Sequence, residues 1–191
     1  MPAVSLDLTY TEAHETVNLG NSIAPANTSM RPVLQMSPLY DMWIASPTKP
    51  ADKTYTLVLS DPDATSRSQP VKGQMCHWIA TGISPIHINP ENGLHRLELR
   101  HFRPTESGMD HVQELVEYLQ PSPPPGTGRH RYVFVLLEPE SQIDNGRKLK
   151  APKDRPRWGF EKQGSGVMKW AEKNHLVPIG ANFFYAKNEK Q

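Results

Sequence analysis

Apolar and polar positions alternate at the start of the chain. Val4, Leu6, Leu8 and Tyr10 are separated by Ser5, Asp7 and Thr9. A period of two predicts a strand with one buried face and one wet face. Tyr55 to Leu59 instead reads as a continuous apolar run, as expected for a strand covered on both faces. Pro62 cannot donate to a sheet ladder, so this strand should stop near Ser60. Further strands are predicted over Gln74 to Ala80, Arg131 to Glu138 and Ala181 to Ala186, with another possible over Leu94 to His101. Pro32 to Ile44 holds room for a short strand broken near Pro38. Asn18 to Arg31 reads as turns, Pro47 to Lys53 as a surface turn, His87 to Gly93 as loop and Gln142 to Arg157 as basic loop. Asp110 to Leu119 is ambiguous, because Val112, Leu115, Val116 and Leu119 fit helical spacing. Val167 to Asn174 is predicted helical, with Ser165 as its N-cap and Val167, Trp170 and Ala171 on one face. No repeat or linker interrupts this pattern, so residues 1–191 are expected to form one domain.

Composition narrows the class. Nineteen prolines and 12 glycines, with little helical periodicity, favour a β-rich chain with long ordered loops. The net charge of +1 gives no bulk attraction to nucleic acid or acidic membranes, and a monomer is expected. The single cysteine, Cys76, cannot form an internal disulfide and suits a reducing compartment. The first residues lack a basic and an apolar signal region, so a cytoplasmic protein is expected. No apolar run approaches the roughly 18 residues of a membrane span. The sequon at Asn27 then reads as ordinary loop. The eight histidines show no metal-ligand spacing, and there is no nucleophile elbow, Walker loop or dinucleotide fingerprint. No metal and no cofactor is expected.

Chemistry gathers in two stretches. The first is Asp61-Pro62-Asp63-Ala64-Thr65-Ser66-Arg67, followed by His77 beside Trp78. If the strands at 55–60 and 74–80 pair, Asp61 and His77 can face each other at one strand end. The second is Pro123-Pro124-Pro125-Gly126-Thr127-Gly128-Arg129-His130-Arg131-Tyr132. Its glycines let backbone amides approach a ligand, and His130 and Tyr132 project from one strand face. Pattern alone leaves plainer readings open. Asp61 and Asp63 fit turn carboxylates that cap amides. His77 fits a core histidine, and His130 one of three exposed basic residues. A hydrolase built on Ser66, His77 and Asp61 is conceivable, with nothing to mark Ser66 as a nucleophile.

In order and spacing, DPDATSR, CHW and GTGRHRY resemble the motifs of the phosphatidylethanolamine-binding protein family. The segments Lys153 to Gly159, Gly166 to Ala171 and Asn182 to Tyr185 are similar to its fungal branch, which includes inhibitors of carboxypeptidase Y. The resemblance implies a mostly β fold: a large antiparallel sheet packed on a smaller one, Greek-key connections and a few short peripheral helices. It turns the ambiguous segment into a strand from about Glu114 to Leu119. It implies an anion site for phosphate groups at Asp61, Ala64, His77, Pro124, Gly126, Gly128, His130 and Tyr132. Asp63, Ser66, Arg67 and Arg131 would brace the loops, Asp63 pairing with Arg67 and Arg131 pointing away from the His130 face. Thr65 stands where relatives have proline, so Ala64–Thr65 is either trans with a reshaped wall or cis.

A carboxylate among histidines is expected to raise their pKa values, so that anion affinity rises below about pH 7. The function implied is non-catalytic binding of a phospholipid head group or a phosphorylated side chain, with modulation of a protein partner such as a kinase. The alternative is inhibition of a serine carboxypeptidase. Inhibitors of the fungal branch carry an added N-terminal segment on which inhibition depends, and here the first strand starts near Val4, which places that reading second. Animal relatives add a C-terminal helix beyond the last strand, so a more open site is expected here.

Overall fold

The computed structural model describes residues 3–38, 54–83, 87–88, 96–99, 112–140 and 148–190. In chain order these form β1 (Val4–Tyr10), β2 (Glu15–Val17), β3 (Asn21–Ser22), a 3-10 turn at Pro25–Thr28, β4 (Val33–Pro38), β5 (Tyr55–Asp61) and β6 (Met75–Ile83). There follow β7 (His87–Ile88), β8 (Arg96–Leu99), β9 (Gln113–Val116), β10 (His130–Pro139), a 3-10 turn at Arg157–Gly159, α1 (Val167–Lys173) and β11 (Leu176–Ala186). The turn expected at 47–53 and most of the loops expected at 87–93 and 142–147 lie outside the described residues.

Two sheets form the body. The larger runs β3-β11-β10-β5-β6-β9 and the smaller β2-β1-β4-β8-β7. All pairings are antiparallel except that of β11 with the two-residue β3, which is parallel, so the large sheet is mixed rather than purely antiparallel.

The difference between the alternating β1 pattern and the continuous β5 pattern has a direct cause. β1 buries only every second residue. β5 lies inside the large sheet, between β10 and β6, and all seven of its residues are buried. Leu57 and Leu59 enter the core between the sheets, with Leu6, Leu8, Leu34, Trp78, Phe134 and Phe184. Val58 faces a second apolar layer, with Cys76, Ile79 and Leu137 beneath Trp158, Val167 and Trp170. That layer is formed by α1 and the segment before it, laid over the outer face of the large sheet.

The ambiguous segment is a strand, shorter than expected. Its helix-like spacing arises because it serves both cores. Val112 packs on the inner one, whereas Leu115 and Val116 pack on the outer one. The cap on α1 differs from expectation too. Gly166 is the N-cap and no side chain of its own turn caps it. Instead Gln74 Oε1, 93 residues away in sequence, accepts the Val167 N–H at 2.9 Å. Ser165 plays no capping part.

Candidate functional site

β5 ends and β10 begins at the same edge of the large sheet, because the two are antiparallel neighbours with Ser60 opposite Val133. This brings the two motif loops together although they lie about seventy residues apart. Asp61, the last residue of β5, accepts from His130 Nδ1 at Oδ2 over 2.8 Å. Its other oxygen, Oδ1, accepts the Asp63 N–H at 2.7 Å. His130 Nε2 meets Thr127 Oγ1 at 2.9 Å, and Thr127 Oγ1 donates to the Pro124 carbonyl at 2.7 Å. Both His130 nitrogens are therefore held within the protein, and the residue is 1% exposed.

His77 does not sit opposite Asp61. The β5–β6 register places Asp61 against Met75 and Ser60 against Cys76, then Leu59 against Trp78. His77 is the extra residue of a bulge, a device that re-aims a side chain. Its Nδ1 donates to the Leu119 carbonyl at 2.9 Å, since a carbonyl can only accept. Its ring stands edge-on to Tyr132, with centroids 5.2 Å apart. Tyr132 in turn stacks on Phe184 at 5.4 Å.

Electrostatics corrects the expected rise in histidine pKa at His77. Burial, the largest influence, pushes this ring below the ordinary value, and the Leu119 bond and the Asp61 charge only partly oppose it. The Tyr132 hydroxyl is pushed well above the ordinary phenol range, by burial first and the Asp61 charge second, so it stays a proton donor.

The brace also differs from expectation. The Asp63–Arg67 pair does not form. Asp63 pairs with Arg131, accepting at Oδ2 from its main-chain N–H (2.8 Å) and from Nε (2.9 Å), and at Oδ1 from Nη2 (2.7 Å). The reason is placement, since Arg131 follows His130 on β10 and extends from the opposite face, beside the first loop. Arg67 is exposed and acts on Asp63 only through its charge. Ser66 knots its own loop: its Oγ accepts the Gln69 N–H at 3.1 Å and lies 3.2 Å from Ser68 Oγ. The hydrolase arrangement is not assembled, because Asp61 holds His130 rather than His77. Ala64 is buried, its carbonyl accepts from Lys72 N, and its peptide to Thr65 is cis. Pro124 is exposed and closes the Thr127 turn. Gly126 and Gly128 adopt φ of +76° and +82°, where a side chain would be strained, and the space beside both is open. Among the described residues no group of three His, Cys, Asp or Glu could hold a metal ion.

Three residues here escaped sequence reading. Thr127 takes up His130 Nε2, and its only signal was a hydroxyl inside the glycine motif. Leu119 acts through its carbonyl, which leaves no trace in a sequence. Arg155 is the third. Its guanidinium donates to the carbonyls of Cys76 (3.2 Å), His77 (3.1 Å) and Glu117 (2.9 Å), fastening β6, the stretch after β9 and the basic loop together beside His77.

With this geometry in place, comparison with known proteins is decisive for kinship. The family profile described as phosphatidylethanolamine-binding protein matches residues 13–184. The chain belongs to this family. Within the phosphatidylethanolamine-binding protein family it is 32% identical to a carboxypeptidase Y inhibitor of Saccharomyces cerevisiae over 178 residues, covering 91% of this chain and 80% of that protein. It also superimposes on a carboxypeptidase Y inhibitor solved in complex with its cognate proteinase. There the TM-score is 0.80 at 30% identity, covering 98% of this chain and 85% of that one. A phosphatidylethanolamine-binding protein from Plasmodium vivax shares the fold, with TM-score 0.65 at 22% identity over 97% of this chain and 86% of that one.

Proposed function

We propose that this protein is a non-catalytic binding protein whose site takes a phosphate group, carried by a small ligand, a phospholipid head group or a phosphorylated side chain. The observation behind this reading is the convergence of Asp61, His77, His130 and Tyr132 at one end of the large sheet, on two loops joined by the Asp61–His130 and Asp63–Arg131 bonds. Tyr132 supplies a hydroxyl donor, and the open space beside Gly126 leaves its backbone approachable. A cytoplasmic setting suits the single, buried thiol of Cys76. Among the described residues no helix is long and apolar enough to cross a membrane.

The test is an NMR titration with inorganic phosphate and with phosphoethanolamine. Shifts confined to residues 61–67, 77 and 124–132, weakened in Tyr132→Phe and in His130→Ala, are the expected result. Tyr132→Phe keeps the ring stack and guards against misfolding of the histidine variant. Shifts centred elsewhere refute the site.

A second reading, inhibition of a serine carboxypeptidase, is favoured by the identity and superposition with the carboxypeptidase Y inhibitor. A direct inhibition assay against carboxypeptidase Y decides it. Tight inhibition that survives Tyr132→Phe would place the inhibitory surface outside the anion site.

A further inference from the structure

Given the phosphate site proposed above, we infer that it takes a phosphate monoester in its singly protonated form, with the ligand's remaining proton donated to His77 Nε2. The hydrogen-bond inventory leads there. Thr127 Oγ1 lies within hydrogen-bond reach of both the Pro124 carbonyl and His130 Nε2, and so occupies that ring nitrogen. His130 Nδ1 donates to Asp61. Both nitrogens of His130 are therefore engaged within the protein, and neither is left to take a proton from a ligand. Arg131 is closed on Asp63 by an ion pair. His77 has committed its Nδ1 proton to Leu119, and burial disfavours a second proton on the ring, so Nε2 presents a lone pair.

The charged and titratable groups around that ring are Asp61 from β5, His130 and Tyr132 from β10, and Arg155 from the basic loop. The Arg155 guanidinium is bound by three carbonyls, and its main-chain N–H donates to the Asp154 carboxylate at 2.8 Å. What the ring offers a ligand is therefore the Nε2 lone pair, which calls for a donor. A monoanion that still carries a proton supplies that donor. A dianion has no proton to give and turns a lone pair of its own toward Nε2. An acceptor facing an acceptor in a buried site is costly, because neither is satisfied.

A pair of esters separates the proton from everything else. Phosphoethanolamine titrates with a second pKa near ~6. Ethanolamine O-sulfate has the same shape and the single charge of the protonated phosphate ester, but no proton to give. Calorimetric titration of the full chain with both, between pH 5.5 and 8, is the experiment. At pH 5.5 phosphoethanolamine should bind tighter by on the order of tenfold or more. Its affinity should then fall by about tenfold per pH unit above ~6, while that of the sulfate ester stays level. His77→Gln, whose amide offers a donor as well as an acceptor, should narrow the gap between the esters. Equal affinity for the two esters in the wild-type chain, or a level profile for phosphoethanolamine, overturns the proton-reading role and leaves the phosphate site standing. Binding of neither ester overturns both. If His77→Gln does not fold, the wild-type comparison alone still decides.

Discussion

Asp63 is 1% exposed, and its ionisation is decided by opposing influences. Burial alone would raise its pKa, but the bonds and charge of Arg131 outweigh this and hold it below the ordinary 3.8. A carboxyl depressed in the folded state contributes stability that is present above the unfolded pKa and is lost as pH falls through the folded one. Asp63→Asn should therefore lower stability by about 2 kcal/mol at pH 7 and flatten the acid limb below about pH 4 in urea unfolding. His77 adds a separate limb. Its folded pKa lies below 6.5, so the unfolded chain takes up the proton first, and stability declines as pH falls from 6.5 through the lowered value. In His77→Gln this higher limb should vanish while the Asp63 limb remains. Cys76 is a third buried group that can be tested. Burial pushes its thiol up to about 12, so a thiol reagent at pH 8 should leave it unmodified until the chain unfolds.

At the scale of elements, α1 shows what a sequence conceals. A seven-residue helix is too short to persist alone, so its ends and its packing decide whether it forms. Gln74→Ala removes the acceptor for Val167 N–H and should lower stability by about 1 kcal/mol, while Ser165→Ala should be close to neutral in the same thermal melts. Strand positions were legible because period and continuity are local. β1, β5, β6 and β10 appear where alternation or an apolar run placed them, and Pro62 follows the last residue of β5. The members of the candidate site were legible through two contiguous motifs. Their partners were not. The Asp63–Arg131 brace spans 68 residues and the Gln74 cap spans 93, and both depend on how strands register after folding. The bulge that takes His77 out of register with Asp61 is a further case, since a register shift between β5 and β6 has no local pattern to announce it.

At the scale of the whole molecule, the described residues form two apolar layers of unequal kind. The inner one lies between two sheets and joins residues from Val4 to Ala186. The outer one is covered by α1 and the segment before it, pinned by the Gln74 cap, the Arg155 carbonyl bonds, the Trp158–Ser60 hydrogen bond at 3.3 Å and the Trp158–Trp170 contact at 5.4 Å. Segments held by few tertiary pins open more readily than strands flanked on both sides by ladders. Native-state hydrogen exchange should therefore release amides in 166–174 before those of β5 and β10, at denaturant concentrations where the sheets remain protected. Arg155→Met tests whether the outer layer and the site are mechanically joined. That arginine binds the carbonyls of Cys76, His77 and Glu117, and the adjoining Leu119 carbonyl fixes the His77 ring. Loss of the guanidinium should speed exchange at Leu119 N–H, which is bonded to the His77 carbonyl, while leaving β10 unchanged. Unaltered exchange at Leu119 in this variant would mean that the 117–119 segment is held by β9 alone, with the outer layer a separate cover.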